Sequence, residues 1–181
     1  MKYFYDCEFI EDGHTIDLIS IGIVAEDSRE FYGQSVEWDA NKASDWVMHN
    51  VFPFLLLCPN GGKMHHAAYQ LHCVGHESCP WYSRTQLARQ IRQFCDPEQY
   101  GEPELWGYYS AYDHVAFCQL FGTMMDLPKG YPMYTRDIKQ WCDSLGNPRL
   151  PEQGKGEHNA LADARWNKVA WEFLADKEKI R

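Results

Sequence analysis

Between residues 3 and 10 nearly every position is apolar or aromatic, and the charged exceptions, Asp6 and Glu8, fall on one side of the alternation. Such a run predicts a strand with an apolar face on each side. Residues 15–25 repeat the pattern with Leu18, Ile19, Ile21, Ile23 and Val24. The Asp12-Gly13 pair between the two runs predicts a hairpin. A third strand over residues 29–36 would complete an antiparallel meander. The pattern then changes period. Ser44-Asp45-Trp46-Val47 reads as a capped helix start, running toward Phe52 before Pro53 stops it. Residues 58–82 are irregular. Helical spacing returns over 83–94, 111–121, 135–145 and 159–176, with a fourth strand at 104–109. Strands first, then strands alternating with helices, predict an α/β fold: a central mixed sheet, its first three strands antiparallel, flanked by helices.

The 181 residues contain no internal repeat and no dividing linker, which suits one domain over the whole chain with an inserted loop at about 58–80. No apolar run is long enough to span a bilayer, so no membrane association is expected. The seven cysteines are odd in number and scattered, as expected of a reducing cytoplasm. The net charge of −9 excludes a broadly basic nucleic-acid binder. Most of that charge lies in residues 1–60, which hold eleven acids against Lys2, Arg29 and Lys42. Either solvated acids have collected on one side, or the fold gathers some of them and cations neutralise them.

The positions of four acids favour the second reading. Asp6 and Glu8 share a strand face with Phe4 and Ile10, roughly 7 Å apart, and repel each other unless a cation lies between them. Asp113 precedes the stripe Ala116, Phe117, Leu120 and Phe121 by helical spacings. Asp163 similarly precedes a stripe read as Trp166, Val169, Ala170, Phe173 and Leu174. Any one could be a capping or ion-paired residue. Together they point to a hard, oxygen-ligated cation such as Mg²⁺ or Mn²⁺. His158 stands five residues before Asp163, just ahead of the last helix, where an imidazole can serve as a general base.

An Asp-x-Glu strand, a helix-start Asp and a His-x4-Asp resemble the DEDD exonuclease superfamily, specifically its histidine branch. The carriers are Tyr5-Asp6-Cys7-Glu8-Phe9, Ala111-Tyr112-Asp113 and His158-Asn159-Ala160-Leu161-Ala162-Asp163-Ala164. The longer opening run from Phe4 to Gly22, with Ser110 to Ala116 and Cys118-Gln119-Leu120, is similar to the polyadenylate-specific 3′-exoribonuclease AS family. The resemblance implies a ribonuclease H-like fold and 3′→5′ hydrolysis of RNA to nucleoside 5′-monophosphates, with adenosine-rich 3′ ends as a candidate preference. It also implies two Mg²⁺ ions, replaceable by Mn²⁺, and a homodimer. Asp6 would bridge both ions, Glu8 and Asp163 would complete the nucleophile-side ion, Asp113 would hold the other, and His158 would be the base. Glu8, Phe9 and Tyr112 are the candidate substrate contacts, although Phe9 also suits core packing. Two positions depart from the wider superfamily: Phe9 stands where Thr is common, and Tyr109 where Asn is.

Three alternatives remain open on sequence. They are a histidine-branch exonuclease of single-stranded DNA or short oligonucleotides, a catalytically silent binding module, and a zinc-dependent interaction protein. The last would use Cys58, His65, His66, His72, Cys73, His76 and Cys79, which lack the spacing of a known finger. Arg84, Arg89, Arg92, Arg136, Lys139 and Arg149 are either RNA-backbone contacts or solvated surface.

Overall fold

Strand β1 (Lys2–Glu11) forms where the aromatic run predicts it, and pairs antiparallel with β2 (Ile16–Ala25). In the connecting turn the Asp12 carboxylate accepts the backbone N–H groups of His14 and Thr15 at 2.9 and 2.8 Å. Gly13 there adopts the left-handed φ of 82° that such a turn needs. Strand β3 (Glu30–Ser35) completes the meander. The computed structural model describes residues 1–56, 80–154 and 156–179. The seven Cys and His residues of the 58–80 segment, and most of that expected insertion, lie outside the described residues.

Two short strands escape prediction. Strand β4 (Trp81–Tyr82) pairs parallel with β3, and β6 (Arg136–Asp137) pairs parallel with β5 (Glu104–Gly107). Two residues carry no readable alternation. The predicted helix 135–145 is therefore a strand followed by a shorter helix, and the strand at 104–109 ends at Gly107. The six-stranded sheet runs β4-β3-β2-β1-β5-β6, with β1 parallel to β5. The expected mixed sheet with an antiparallel first half is present, consistent with a ribonuclease H-like fold.

Among the described residues six α-helices flank it: α1 (Asp45–Asn50), α2 (Arg84–Phe94), α3 (Pro97–Tyr100), α4 (Ala111–Gln119), α5 (Ile138–Ser144) and α6 (Ala160–Lys179). Helix α2 starts with a full capping box between Ser83 and Gln86, and Asp137 caps α5 by accepting the N–H of Gln140 at 3.0 Å. On one sheet face Tyr3, Tyr5, Ile21 and Ile23 bury against Leu87 and Ile91 of α2 and Ala116 and Phe117 of α4. The β1–β2 register slips between Glu8 and Phe9, passing over Ile19. This irregularity brings Ile16 and Leu18 into the same core as Ile21, and sends Ile19 with Ile10 to a second cluster under α1.

The other face carries α6. Its buried side is Ala160, Ala164, Asn167, Ala170 and Leu174, and Val169, expected on the stripe, is 47% exposed. The reason is proximity. A Cβ on Gly22 would lie 2.3 Å from the carbonyl oxygen of Ala160, so the helix start rests directly on the backbone of β2. Small side chains fit such a seam, and large ones such as Trp166 and Trp171 are pushed to its margin. No helix among the described residues is long and apolar enough to cross a membrane.

Candidate active site

Gly22 is the cross-strand partner of Asp6. The same missing side chain that lets α6 descend therefore sets its first turn beside the two carboxylates of β1. Phe4 on that face packs against Trp171 with ring centroids 5.7 Å apart, and the Asn167 amide donates to the Tyr5 carbonyl at 2.9 Å. These contacts pin the helix to the strand and fix the height of Asp163.

The ligand atoms of Glu8, His158 and Asp163 lie within 4.8 Å of one another. Asp6 shares with His158 and Asp163 a cavity of about 320 Å³, also lined by Gln153, Tyr108 and Trp166. Asp113 reaches the cluster from α4 on the other side of β1. Its carboxylate accepts the Cys7 N–H at 2.7 Å, and it is only 7% exposed. The structure thus clusters Glu8, His158 and Asp163, puts Asp6 in the cavity beside His158 and Asp163, and ties Asp113 to the backbone of Cys7, between Asp6 and Glu8.

Asp163 is held at both oxygens: the backbone N–H of His158 donates to Oδ2 at 2.9 Å and the Gln153 amide donates to Oδ1. The bond to His158 N–H requires an unusual backbone. His158 sits at φ 68°, left-handed and strained for a residue with a side chain. Gln153 and Tyr108 carried no signal in the sequence, because both reach the cavity through tertiary placement of loop and strand-end residues.

The negative charge of the cluster has no basic counterpart among the described residues. None of the ion pairs among the described residues includes Asp6, Glu8, Asp113 or Asp163. Desolvation first, then the charges of Asp113, Asp163 and Glu8, pushes the Asp6 carboxyl well above its ordinary range. Glu8 is pushed up to about 8 by burial and by the charges of Asp163 and Asp113. Burial raises Asp113 to about 7, against the pull of the Cys7 N–H. Asp163 rises to about 6, again mainly by desolvation. Carboxylates crowded in this way are stabilised in their charged form by a divalent ion, and an all-oxygen carboxylate set fits a hard one.

The candidate substrate contacts also converge. The rings of Phe9 and Tyr112 meet nearly edge-on at 6.1 Å, with Phe9 half-buried and Tyr112 exposed, so Phe9 serves both packing and rim. Tyr109 occupies the turn before α4 at φ 55° and is 65% exposed. Of the basic candidates, Arg84 pairs with Asp17, Arg136 with Glu104, Lys139 with Asp143 and Arg149 with Glu152.

A family model described as the 3′-5′ exoribonuclease Rv2179c-like domain matches residues 1–175. The chain belongs to this family. It is similar to 3′-5′ exoribonuclease Rv2179c of Mycobacterium tuberculosis strain ATCC 25618 / H37Rv, 44% identical over 165 residues, covering 91% of this chain and 88% of the relative. The same figures hold for 3′-5′ exoribonuclease MT2234.1 of Mycobacterium tuberculosis strain CDC 1551 / Oshkosh. The expected enzyme class, a 3′-5′ exoribonuclease, is that of the Rv2179c-like family. The matched span takes in Asp6, Glu8, Asp113, His158 and Asp163, so the acidic cluster is part of the Rv2179c-like domain itself.

Proposed function

We propose that this chain hydrolyses RNA from its 3′ end, releasing nucleoside 5′-monophosphates with two Mg²⁺ ions, as a histidine-branch member of the DEDD superfamily close to the AS family. The observation that carries the reading is the convergence of Glu8, His158 and Asp163 within 4.8 Å, with Asp6 in the same cavity and no basic side chain ion-paired to any of the four carboxylates among the described residues.

Asp6, Glu8, Asp113 and Asp163 would hold the cations, with Mn²⁺ able to replace Mg²⁺. When bound, such a pair supplies electrophilic stabilisation for the attacking and leaving oxygens of a phosphodiester. His158, at the cavity wall and close to Glu8 and Asp163, would accept the proton of the attacking water. The left-handed backbone at His158 serves two ends at once: its N–H orients Asp163 while its ring faces the cluster. Glu8 would contact the terminal ribose, and the exposed ring of Tyr112 with Phe9 would offer an aromatic surface to a terminal base. With four of the six candidate basic residues already paired to acids, RNA would be gripped chiefly at its 3′ end and weakly elsewhere. The reading takes residues 1–181 as one domain and the active species as a homodimer, which light scattering on purified protein checks.

The deciding experiment is a panel of 5′-labelled oligonucleotides, with poly(A), mixed RNA and the DNA equivalents, incubated with Mg²⁺ and with EDTA. A ladder of 3′-shortened RNA in Mg²⁺ and none in EDTA is expected. Faster shortening of poly(A) would establish adenosine preference. Turnover indifferent to EDTA, or confined to DNA, would refute the proposal.

A further inference from the structure

Trp46 is a large apolar side chain 54% exposed at the start of a six-residue helix, and neither the acidic cluster nor the core explains it. Its ring lies 4.7 Å from that of His158, at 78° to it. The segment that carries Trp46 is unusually well anchored for one at the protein surface. Ser44 caps α1 by accepting the Val47 N–H, and Val47, Val51 and Leu55 bury beside Ile10 and Ile19 of the sheet. At its far end, the buried Gln34 amide grips the Leu56 backbone twice, accepting its N–H at 2.6 Å and donating to its carbonyl at 3.2 Å. The segment also meets the His158 loop a second time, where the Asn159 amide donates to the Phe54 carbonyl at 3.3 Å. His158 and Asn159 are therefore both seated against one rigid block, at the point where the backbone is strained.

The geometry points to Trp46 as a positioning residue that holds the His158 ring toward the acidic cluster. The inference rests on the reading of His158 as the base. The reasoning is mechanical. A left-handed residue at the end of a loop has its backbone fixed by the Asp163 hydrogen bond, but that bond leaves the imidazole free to rotate about its own side-chain torsions. A perpendicular aromatic ring against one side removes rotamers that point to solvent. Proton transfer is sensitive to such placement, and displacement of a reacting group by about 1 Å costs up to 10²-fold.

The test is a double-mutant cycle of Trp46→Ala and His158→Ala in the full chain, assayed with Mg²⁺ and a 3′-terminal RNA oligonucleotide. Trp46→Ala should lower kcat by about 10- to 100-fold with KM changed by less than about twofold, and Trp46→Phe should restore most of the rate. In the His158→Ala background, Trp46→Ala should cost nothing further. Histidine ring NMR adds a reading independent of turnover. The His158 resonance, identified by its loss in His158→Ala, should move in Trp46→Ala and remain near its wild-type position in Trp46→Phe.

Two results would overturn the inference while leaving the proposed activity intact. One is a KM increase with kcat unchanged, which would make Trp46 a base-stacking surface; the other is a loss that persists undiminished without His158. An unchanged rate in His158→Ala alone would remove His158 as base, and this inference with it, and the first arm of the cycle reveals that case directly.

Discussion

The two faces of β1 carry opposite chemistry. One face places Tyr3, Tyr5 and Cys7 in a dry core against α2 and α4, with the rings of Tyr5 and Phe117 5.9 Å apart. The other, one residue out of phase, places Phe4 against Trp171 and then Asp6 and Glu8 against the start of α6. The first face lowers the free energy of the fold. The second raises it, because carboxylates are held close together in a desolvated place. A single strand does both because side chains alternate, so rigidity built on one face is delivered to the other. The mutual repulsion is tolerable only if the rest of the sheet holds β1 in place, and its relief would add to the attraction of the carboxylates for a cation.

The comparison breaks most completely at the acidic face. Asp6→Ala and Asp163→Ala should each reduce RNA hydrolysis to the background rate, yet leave the circular dichroism spectrum intact and the metal-free melting temperature unchanged or raised. Turnover by either variant would show that the site lies elsewhere. The opposite face should behave in reverse. Phe117→Ala removes a fully buried ring beneath Tyr5 and should destabilise by about 3–5 kcal/mol, measured by urea unfolding. Its effect on activity should track the folded fraction. A stability loss under about 1 kcal/mol would mean that this core does not support β1.

How far this division can be read from sequence depends on which periodicity is involved. Asp6 and Glu8 stand out because a strand alternates strictly and two acids on one side break an apolar run. Asp113 is legible for the same reason on a helix, three residues before Ala116 and four before Phe117. Asp163 is legible in motif but not in packing: a hydrophobic stripe weights Val169, whereas the actual seam is Ala160, Ala164 and Asn167. Close approach selects small residues, and small residues carry little hydrophobic signal. Trp46, Gln153 and Tyr108 are illegible for a different reason. Trp46 and Tyr108 meet the site across long stretches of chain, and Gln153 reaches Asp163 from an irregular loop, with no local pattern to announce any of them. Strands β4 and β6, of two residues each, exist only because a neighbouring strand offers free backbone groups.

Gly22 tests the junction between the two faces. It lies opposite Asp6, and a Cβ there would meet backbone atoms of Ala160 and Leu161 at 2.3 to 2.4 Å, which no rotamer change relieves. Gly22→Ala should lift the first turn of α6, at a cost of about 1–3 kcal/mol in stability. Because Asp163 and the His158 N–H move with that turn, activity should fall by more than the unfolded fraction explains, and Mn²⁺ affinity measured calorimetrically should weaken. Wild-type Mn²⁺ affinity in a folded Gly22→Ala variant would show that the helix contact does not set the site.

The smallest effect is the most direct measure of the strain on the acidic face. Glu8, Asp113 and Asp163 titrate at about 8, 7 and 6, each above the ordinary carboxyl value of 4.5 or 3.8. A carboxyl that binds its proton more tightly folded than unfolded favours the fold at pH below its ordinary range, and loses that contribution as pH rises through the raised value. In EDTA the melting temperature should therefore fall by several degrees between about pH 5.5 and about pH 8.5. Saturating Mg²⁺ should raise it, and more at the upper pH, because the cation binds the charged carboxylates that the metal-free fold disfavours. Glu8→Gln removes one of these raised carboxyls and should flatten the decline in EDTA. A melting temperature that is level or rising across this range without metal would mean the carboxylates are neither desolvated nor crowded enough in the folded chain to disfavour their charged form. The contrast between the faces of β1 would then be one of polarity alone, with no energy stored for a cation to release.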